Sequence, residues 1–354
     1  MSVNKVVFSG YFGFGNTGDE AILEAACAEM RRQRPDIAIS ALMDNKDRAR
    51  ELGIEPYPRK KFGAIIKALR NSDVLVSGGG GLIQDSTGWI SVLYYLGIIT
   101  LARLCGRKTI MFCQGFGPVK TRAGKFFARL LLPLAGQALM RDEPSLSELK
   151  RFAPHLSAKL TADPALLLEK ANDDRINEML NKAGIGNKKF VVVSLRDWQG
   201  FSWEEITAAL KSFRETAGED IAYLFIPFQP ERDTDISQKA AQSLGDCAYI
   251  AQGSTKEVLG LISKAEMTVA MRLHALIFSA SANVPGVGLS YDPKVKNFCD
   301  RCGHAVLEKT DIARLTEQLV NTWNGRDNIK AELMRKTEAM RESARQAVAE
   351  VLAL

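Results

Sequence analysis

The chain has 354 residues, of which 46% are hydrophobic and 25% charged, and its net charge is +6. That length suits two domains with a core each, and the composition is that of an ordinary globular protein. Lysines and arginines are spread among acids, so the mild positive charge biases the chain toward anionic partners and carries no nucleic-acid signature.

In chain order, strands are predicted at 5–9, 37–42, 73–77 and 108–113, with helical patterns at about 19–33, 60–70 and 90–105 between them. No signal peptide is expected ahead of the first strand, and no apolar run reaches the roughly 18 residues of a membrane span. The longest candidate, Ile90 to Leu104, is interrupted by Gly97, Thr100 and Arg103. A cytoplasmic protein with reduced thiols is expected, with Cys27, Cys105 and Cys113 as small core residues. A helical stretch continues from Phe126 to Leu134. A short buried strand at 138–141 leads into Asp142-Glu143-Pro144-Ser145, which suits a helix start. Residues 160–164 read as one more strand and turn, and 169–189 as a linker with a connecting helix. Buried strands resume at 190–195, 222–226, 248–250, 267–270 and 287–290. The tail from 326 reads as one long charged helix, with Leu333, Met340 and Ala347 at helical spacing and no sheet partner.

Alternating strands and helices imply an α/β fold with parallel sheets covered by helices on both faces. The restart near 190 implies two doubly wound Rossmann-like domains, 1–168 and 169–325, followed by a C-terminal helix over 326–354. Two such domains facing each other make an inter-domain cleft, where ligands usually bind. Many glycosyltransferases of the two-Rossmann-domain type share that architecture.

Two glycine-rich turns follow strands in the first ninety residues. Gly10-Tyr11-Phe12-Gly13-Phe14-Gly15-Asn16-Thr17-Gly18-Asp19-Glu20 is not the G-x-G-x-x-G dinucleotide fingerprint. Its glycines alone fit a tight turn with Asn16 or Thr17 as helix cap. The polar run through Asp19 favours a ligand site, with Gly13, Asn16 and Asp19 as loop residues. Ser77-Gly78-Gly79-Gly80-Gly81 has more glycines than a turn needs, which implies close approach by a ligand or another backbone. Asp85 follows, either as acceptor or base for a sugar hydroxyl or as the acid at a helix start.

Arg141 and Arg272 each end a predicted buried strand, and a guanidinium fork matches phosphate and carboxylate. His274 comes two residues after Arg272. It is read as a general acid or phosphate ligand, with a satisfied core histidine as the alternative. His155 and His304 stand in polar or irregular stretches. Lys294 follows a turn at a strand end, with Lys296 nearby. The two are a solvated pair, or Lys294 neutralises ligand charge. Cys299-x-x-Cys302 has no second pair, so no metal site is expected.

Together GYFGFGNTGDEAIL, SGGGGLIQDSTG, CQGFGP, MRDEPS, MRLHALIFSA and YDPKVKNF resemble the polysaccharide pyruvyl transferase family. Within it they resemble the bacterial branch that pyruvylates secondary cell wall polymer for S-layer anchoring. The resemblance implies a glycosyltransferase-B fold, with the acceptor side in the first domain and the donor side in the second. The implied donor is phosphoenolpyruvate, used as a substrate with no cofactor. The implied acceptor is N-acetylmannosamine in a lipid-linked precursor, and the products are a 4,6-ketal and phosphate. Arg141, Arg272, Leu273, His274 and Lys294 match donor-binding positions. Asp85 is similar to an acid on the family's glycine-rich loop, which includes Gly79 and Gly80. For the chemistry of ketal formation His274 is the candidate acid, for the methylene or the leaving phosphate, and Asp85 the candidate base for a hydroxyl. Peripheral contact with the inner membrane face and a homo-oligomer are compatible with this, and a nucleic-acid partner is not expected. The alternatives are a nucleotide-sugar glycosyltransferase of the same fold and a non-catalytic sugar-phosphate binding protein.

Overall fold

A computed structural model describes residues 3–85, 88–198 and 200–354. Ser86 and Thr87 of the second glycine-rich motif lie outside the described residues. Two compact units are present. The first is Met1–Gly15 with Asp19–Leu167 and Met340–Leu354, and the second is Asn16–Gly18 with Leu168–Ala339.

The first unit holds a seven-stranded parallel sheet: β1 (Lys5–Ser9), β2 (Ala38–Leu42), β3 (Glu55–Tyr57), β4 (Val74–Gly78), β5 (Lys108–Gln114), β6 (Gln137–Met140) and β7 (Ala158–Leu160), in the order β3-β2-β1-β4-β5-β6-β7. Side chains alternate across a strand, and the two cores follow that period. Val6, Phe8, Val74, Val76, Ile110 and Phe112 enter one core, while Val7, Leu75 and Met111 enter the other. Strands buried on both faces read as continuous apolar runs, which is why β1, β4 and β5 were visible in the sequence.

The second unit holds a six-stranded parallel sheet: β8 (Phe190–Ser194), β9 (Ala222–Phe225), β10 (Ala248–Ile250), β11 (Met267–Ala270), β12 (Gly286–Ser290) and β13 (Ala305–Glu308), in the order β10-β9-β8-β11-β12-β13. Both units are Rossmann-like, with helices between successive strands.

Three local expectations are corrected. The strand of the strand and turn expected at 160–164 lies earlier, as β7, and the turn leads into the 3₁₀ segment Pro164–Leu167. Two edge strands, β3 and β13, were not foreseen. β3 contains Pro56, which only an edge strand accommodates without losing a ladder bond. The tail helix, Arg326–Ala353, does have a sheet to pack on. Ala347, Val348, Val351 and Leu352 lie in the core with Val6, Phe8 and Ile39 of β1 and β2. No helix among the described residues is long and apolar enough to cross a membrane.

Candidate functional site

In an open parallel sheet, ligands bind at the carboxyl ends of the two strands where the order reverses. The reversal lies between β1 and β4 in the first sheet and between β8 and β11 in the second. The glycine-rich turns leave β1 and β4. Arg272, Leu273 and His274 leave β11.

In the second unit, Arg272 is the residue ahead of the helix Leu273–Ser281. Its guanidinium grips Asp233 with two nitrogens, Nε donating to Oδ2 at 2.9 Å, and Nη2 also reaches Gln229 Oε1 at 3.3 Å. Asp233 is fully buried and accepts the Gln229 N–H as well. The fork is therefore held rigid before any ligand arrives. Leu273 is buried and anchors the helix start.

His274 lies in the first turn of that helix, against the backbone of Gly18. A Cβ on Gly18 would come within 2.0 Å of His274 Nδ1. Only glycine allows that approach, and this is the steric reason for Gly18, the fourth glycine of the first motif. The Asn16–Gly18 segment is fixed within this unit by Thr17 N–H donating to the Phe228 carbonyl (2.8 Å) and Gly18 N–H donating to Asn16 Oδ1 (3.1 Å). The structure thus brings Asn16 and His274, far apart in sequence, into one unit at the carboxyl edge of β8 and β11.

Lys294 lies beyond β12 in the first turn of the helix Pro293–Cys302, capped by Asp292. Its Nζ sits 3.2 Å from Asp292 Oδ2 and 5.7 Å from the Tyr291 ring centroid. Arg196, just past β8, donates to the Tyr291 hydroxyl (3.1 Å), and its guanidinium lies 4.8 Å from the Trp198 ring. Trp198 and Tyr291 have ring centroids 5.1 Å apart. This platform of two rings and two cations was not read from the sequence. Lys296 instead pairs with Asp300 on its own helix.

In the first unit, both glycine-rich loops fold on acids of the helix Thr17–Gln33. Gly80, at φ +63°, passes so close to Asp19 that a Cβ would lie 2.3 Å from Oδ1. Gly79, beside it, is also left-handed at φ +96°. Gly13 (φ +83°) donates its N–H to Glu20 Oε1 at 2.6 Å. Arg48 in turn donates to Glu20 and Glu24. Burial raises the Glu20 pKa further than these donors lower it.

Asp85 accepts the N–H groups of Lys120 and Thr121 and the Thr121 hydroxyl, at 2.6–2.9 Å. Thr121 caps the helix Arg122–Leu131 through Gly124 N–H. Burial alone would raise the Asp85 pKa, but these donors outweigh it and the net shift is downward. Those occupied oxygens suit a loop clasp, and the base role expected from the sequence draws no support from this geometry. Arg141, at the end of β6, is buried with Asp163 (3.2 Å) and Asp142 (3.6 Å). Its N–H donates to the Gln114 carbonyl at 3.1 Å.

His304 departs from its polar reading. It is buried, with Nε2 3.1 Å from the Leu276 carbonyl, and burial pushes its pKa down to about 4. Cys299 and Cys302 are buried free thiols whose pKa burial raises. No group of three or more His, Cys, Asp or Glu side chains suited to a metal occurs among the described residues.

A family model described as polysaccharide pyruvyl transferase matches residues 16–293. No curated protein matches the chain. Among solved structures the chain is similar to UDP-GlcNAc 2-epimerase from Neisseria meningitidis bound to UDP-GlcNAc, at 11% identity over 99% of each chain and TM-score 0.67. It is similar to Anabaena Alr3699/HepE in complex with UDP and glucose, at 11% identity over 99% of each chain and TM-score 0.64. It is also similar to S. aureus MnaA with UDP, at 12% identity over 98% of this chain and 94% of that one, TM-score 0.65. At such identities the likeness carries the fold alone, two Rossmann-like domains of the glycosyltransferase-B type.

Proposed function

We propose, for a chain that belongs to the polysaccharide pyruvyl transferase family, that it moves pyruvate from phosphoenolpyruvate onto a sugar. The product is a 4,6-ketal, and inorganic phosphate is released. The acceptor proposed is N-acetylmannosamine in a lipid-linked cell wall polymer precursor of the kind used for S-layer anchoring. The observation that carries the reading is the pairing of a rigid guanidinium with an imidazole at the carboxyl end of β11.

Phosphoenolpyruvate puts a carboxylate and a phosphate on three carbons, and a preset arginine fork meets such a dianion with little ordering cost. The Asp233 grip uses Nε and Nη2 of Arg272, and Nη1 has no partner among the described residues. Lys294 and Arg141 add positive charge in the same reading, and no step calls for a metal. His274 gives a proton to the enol methylene, which becomes a methyl group and leaves an oxocarbenium-like carbon. A sugar hydroxyl forms a bond to that carbon and gives its proton to the His274 imidazole, which restores the acid. The carbon–oxygen bond to phosphate then breaks, and the second hydroxyl closes the ring as its proton leaves with phosphate. Asp85 acts indirectly, by fixing the loop between β4 and the helix that follows.

The test is incubation with phosphoenolpyruvate and a panel of N-acetylmannosamine acceptors. The expected result is phosphate release matched by one pyruvyl mass gained per acceptor. Consumption of a UDP-sugar with phosphoenolpyruvate untouched would replace this reading with nucleotide-sugar transfer. Binding of phosphoenolpyruvate with no turnover on any acceptor would favour a binding protein.

A further inference from the structure

Residues 86–141 contain no aspartate or glutamate but eight lysines and arginines, in a chain whose 354 residues otherwise carry 41 acids. The whole-chain charge of +6 hides this segment. Within it lie the helix Arg122–Leu131 and the turn Leu132–Leu134. Gly124, Ala128 and Leu132 point into the first unit's core. The outward face carries Arg122, Phe126, Arg129, Leu130 and Leu134. Phe126 is 61% exposed, Leu130 56% and Leu134 43%.

A helix on a globular surface normally turns polar residues to solvent. This one, with the turn after it, presents three large apolar side chains flanked by two arginines, and Arg122, Phe126, Arg129 and Leu130 line one open hollow. The face continues onto the helix Trp89–Leu104. There Trp89 stacks on Phe127 with ring centroids 5.6 Å apart, and Ile90 is 68% exposed.

We infer that this face of the first unit docks on an anionic lipid surface. Exposed rings and leucines enter the interfacial zone of a bilayer, and the arginines pair with headgroup phosphates. Charge complementarity selects this occupant. A second copy of the chain meeting the face through the same patch would oppose cations to cations, with no acid in the segment to relieve them. The inference stands apart from the proposed reaction, and its test needs no substrate.

The full chain is sedimented with vesicles of phosphatidylcholine alone and of phosphatidylcholine mixed with phosphatidylglycerol. Binding is expected to the mixed vesicles only, and rising salt should release it. The double variant Arg122→Glu/Arg129→Glu should lose at least about tenfold in affinity, since each cation near an anionic surface contributes several-fold. Phe126→Ser/Leu130→Ser should also bind more weakly while its melting curve stays normal. If that variant misfolds, the charge reversal decides alone. Equal sedimentation with both vesicle types, or charge-reversed protein that binds as wild type, overturns the inference. So does a dimer that Phe126→Ser/Leu130→Ser dissociates while leaving vesicle binding intact. Turnover of a short water-soluble acceptor should be the same in wild type and both variants. A failure of the pyruvyl-transfer reading would therefore leave the vesicle result standing.

Discussion

Gly18→Ala places a methyl group where the imidazole of His274 lies. The new Cβ would be 2.0 Å from Nδ1 and 2.2 Å from Cγ, against an ordinary contact of 3.4 Å or more, a shortfall of 1.4 Å (3.4 − 2.0). The φ of Gly18 is outside the left-handed region, so the backbone accepts alanine and the whole conflict falls on the ring. A catalytic group displaced by about 1 Å costs roughly 10²-fold in rate, or about 2.7 kcal/mol of barrier. Stability should move much less. Alanine favours a helix over glycine by about 0.5–1 kcal/mol, which offsets part of an overpacking cost of about 1–3 kcal/mol. The assay is phosphate release at saturating phosphoenolpyruvate, with a melting curve on the same sample. Gly63→Ala is the control, because Gly63 sits in the helix Phe62–Arg70 with open space where its Cβ would be. It should be fully active and slightly stabilised. A Gly18→Ala protein with normal turnover would refute the reasoning, since the imidazole then either is not held there or takes no part in the reaction.

Arg272→Ala and Arg141→Ala should each weaken phosphoenolpyruvate binding at least about tenfold, because a hydrogen bond to a charged group is worth about 1.5–3 kcal/mol; unchanged affinity by calorimetry would remove the residue from the donor site. His274→Gln keeps a hydrogen-bond donor but no proton to transfer, so turnover should fall by about 10²–10⁴-fold with a normal melting curve. Turnover should survive a chelator, and loss that magnesium or manganese restores would contradict the metal-free reading. The His304 pKa falls from 6.5 when free to about 4 when buried, so the unfolded chain binds the extra proton. Stability is then complete above pH 6.5 and declines as pH falls toward 4, by about 3 kcal/mol in total. His304→Gln should flatten that decline in urea titrations, and an unchanged slope would show that His304 is not the group responsible.

Strands buried on both faces announced themselves as runs of valine, isoleucine and leucine, as in Val191-Val192-Val193. The short edges did not, because β3 and β13 mix polar residues and a proline into three or four positions. Arg272 and His274 were legible because a strand, a turn and an apolar helix frame them. Asp233, which holds Arg272, lies 39 positions away on another helix, and no local pattern links the two. The Arg196–Tyr291 bond spans 95 positions and was invisible for the same reason. His304 follows a helix-ending glycine in a polar context, and its burial depends on the sheet that closes over it. The acid-free segment was present in the sequence, but a charge summed over the whole chain averages it away.

The packing of residues 340–354 on the first sheet has a consequence for biosynthesis. The core on one face of β1 and β2 stays incomplete until Ala347, Val348, Val351 and Leu352 emerge, although the rest of that unit is complete at Leu167. At about 5–20 residues per second, the 173 residues from 167 to 340 take roughly 9–35 s to synthesise. The first unit is made first and yet closes after most of the second has been translated. For that whole interval the core around Val6, Phe8 and Ile39 has Leu23, Ala26, Cys27 and Met30 of the first helix but lacks the four side chains that the tail supplies, so the nascent first unit waits incompletely packed.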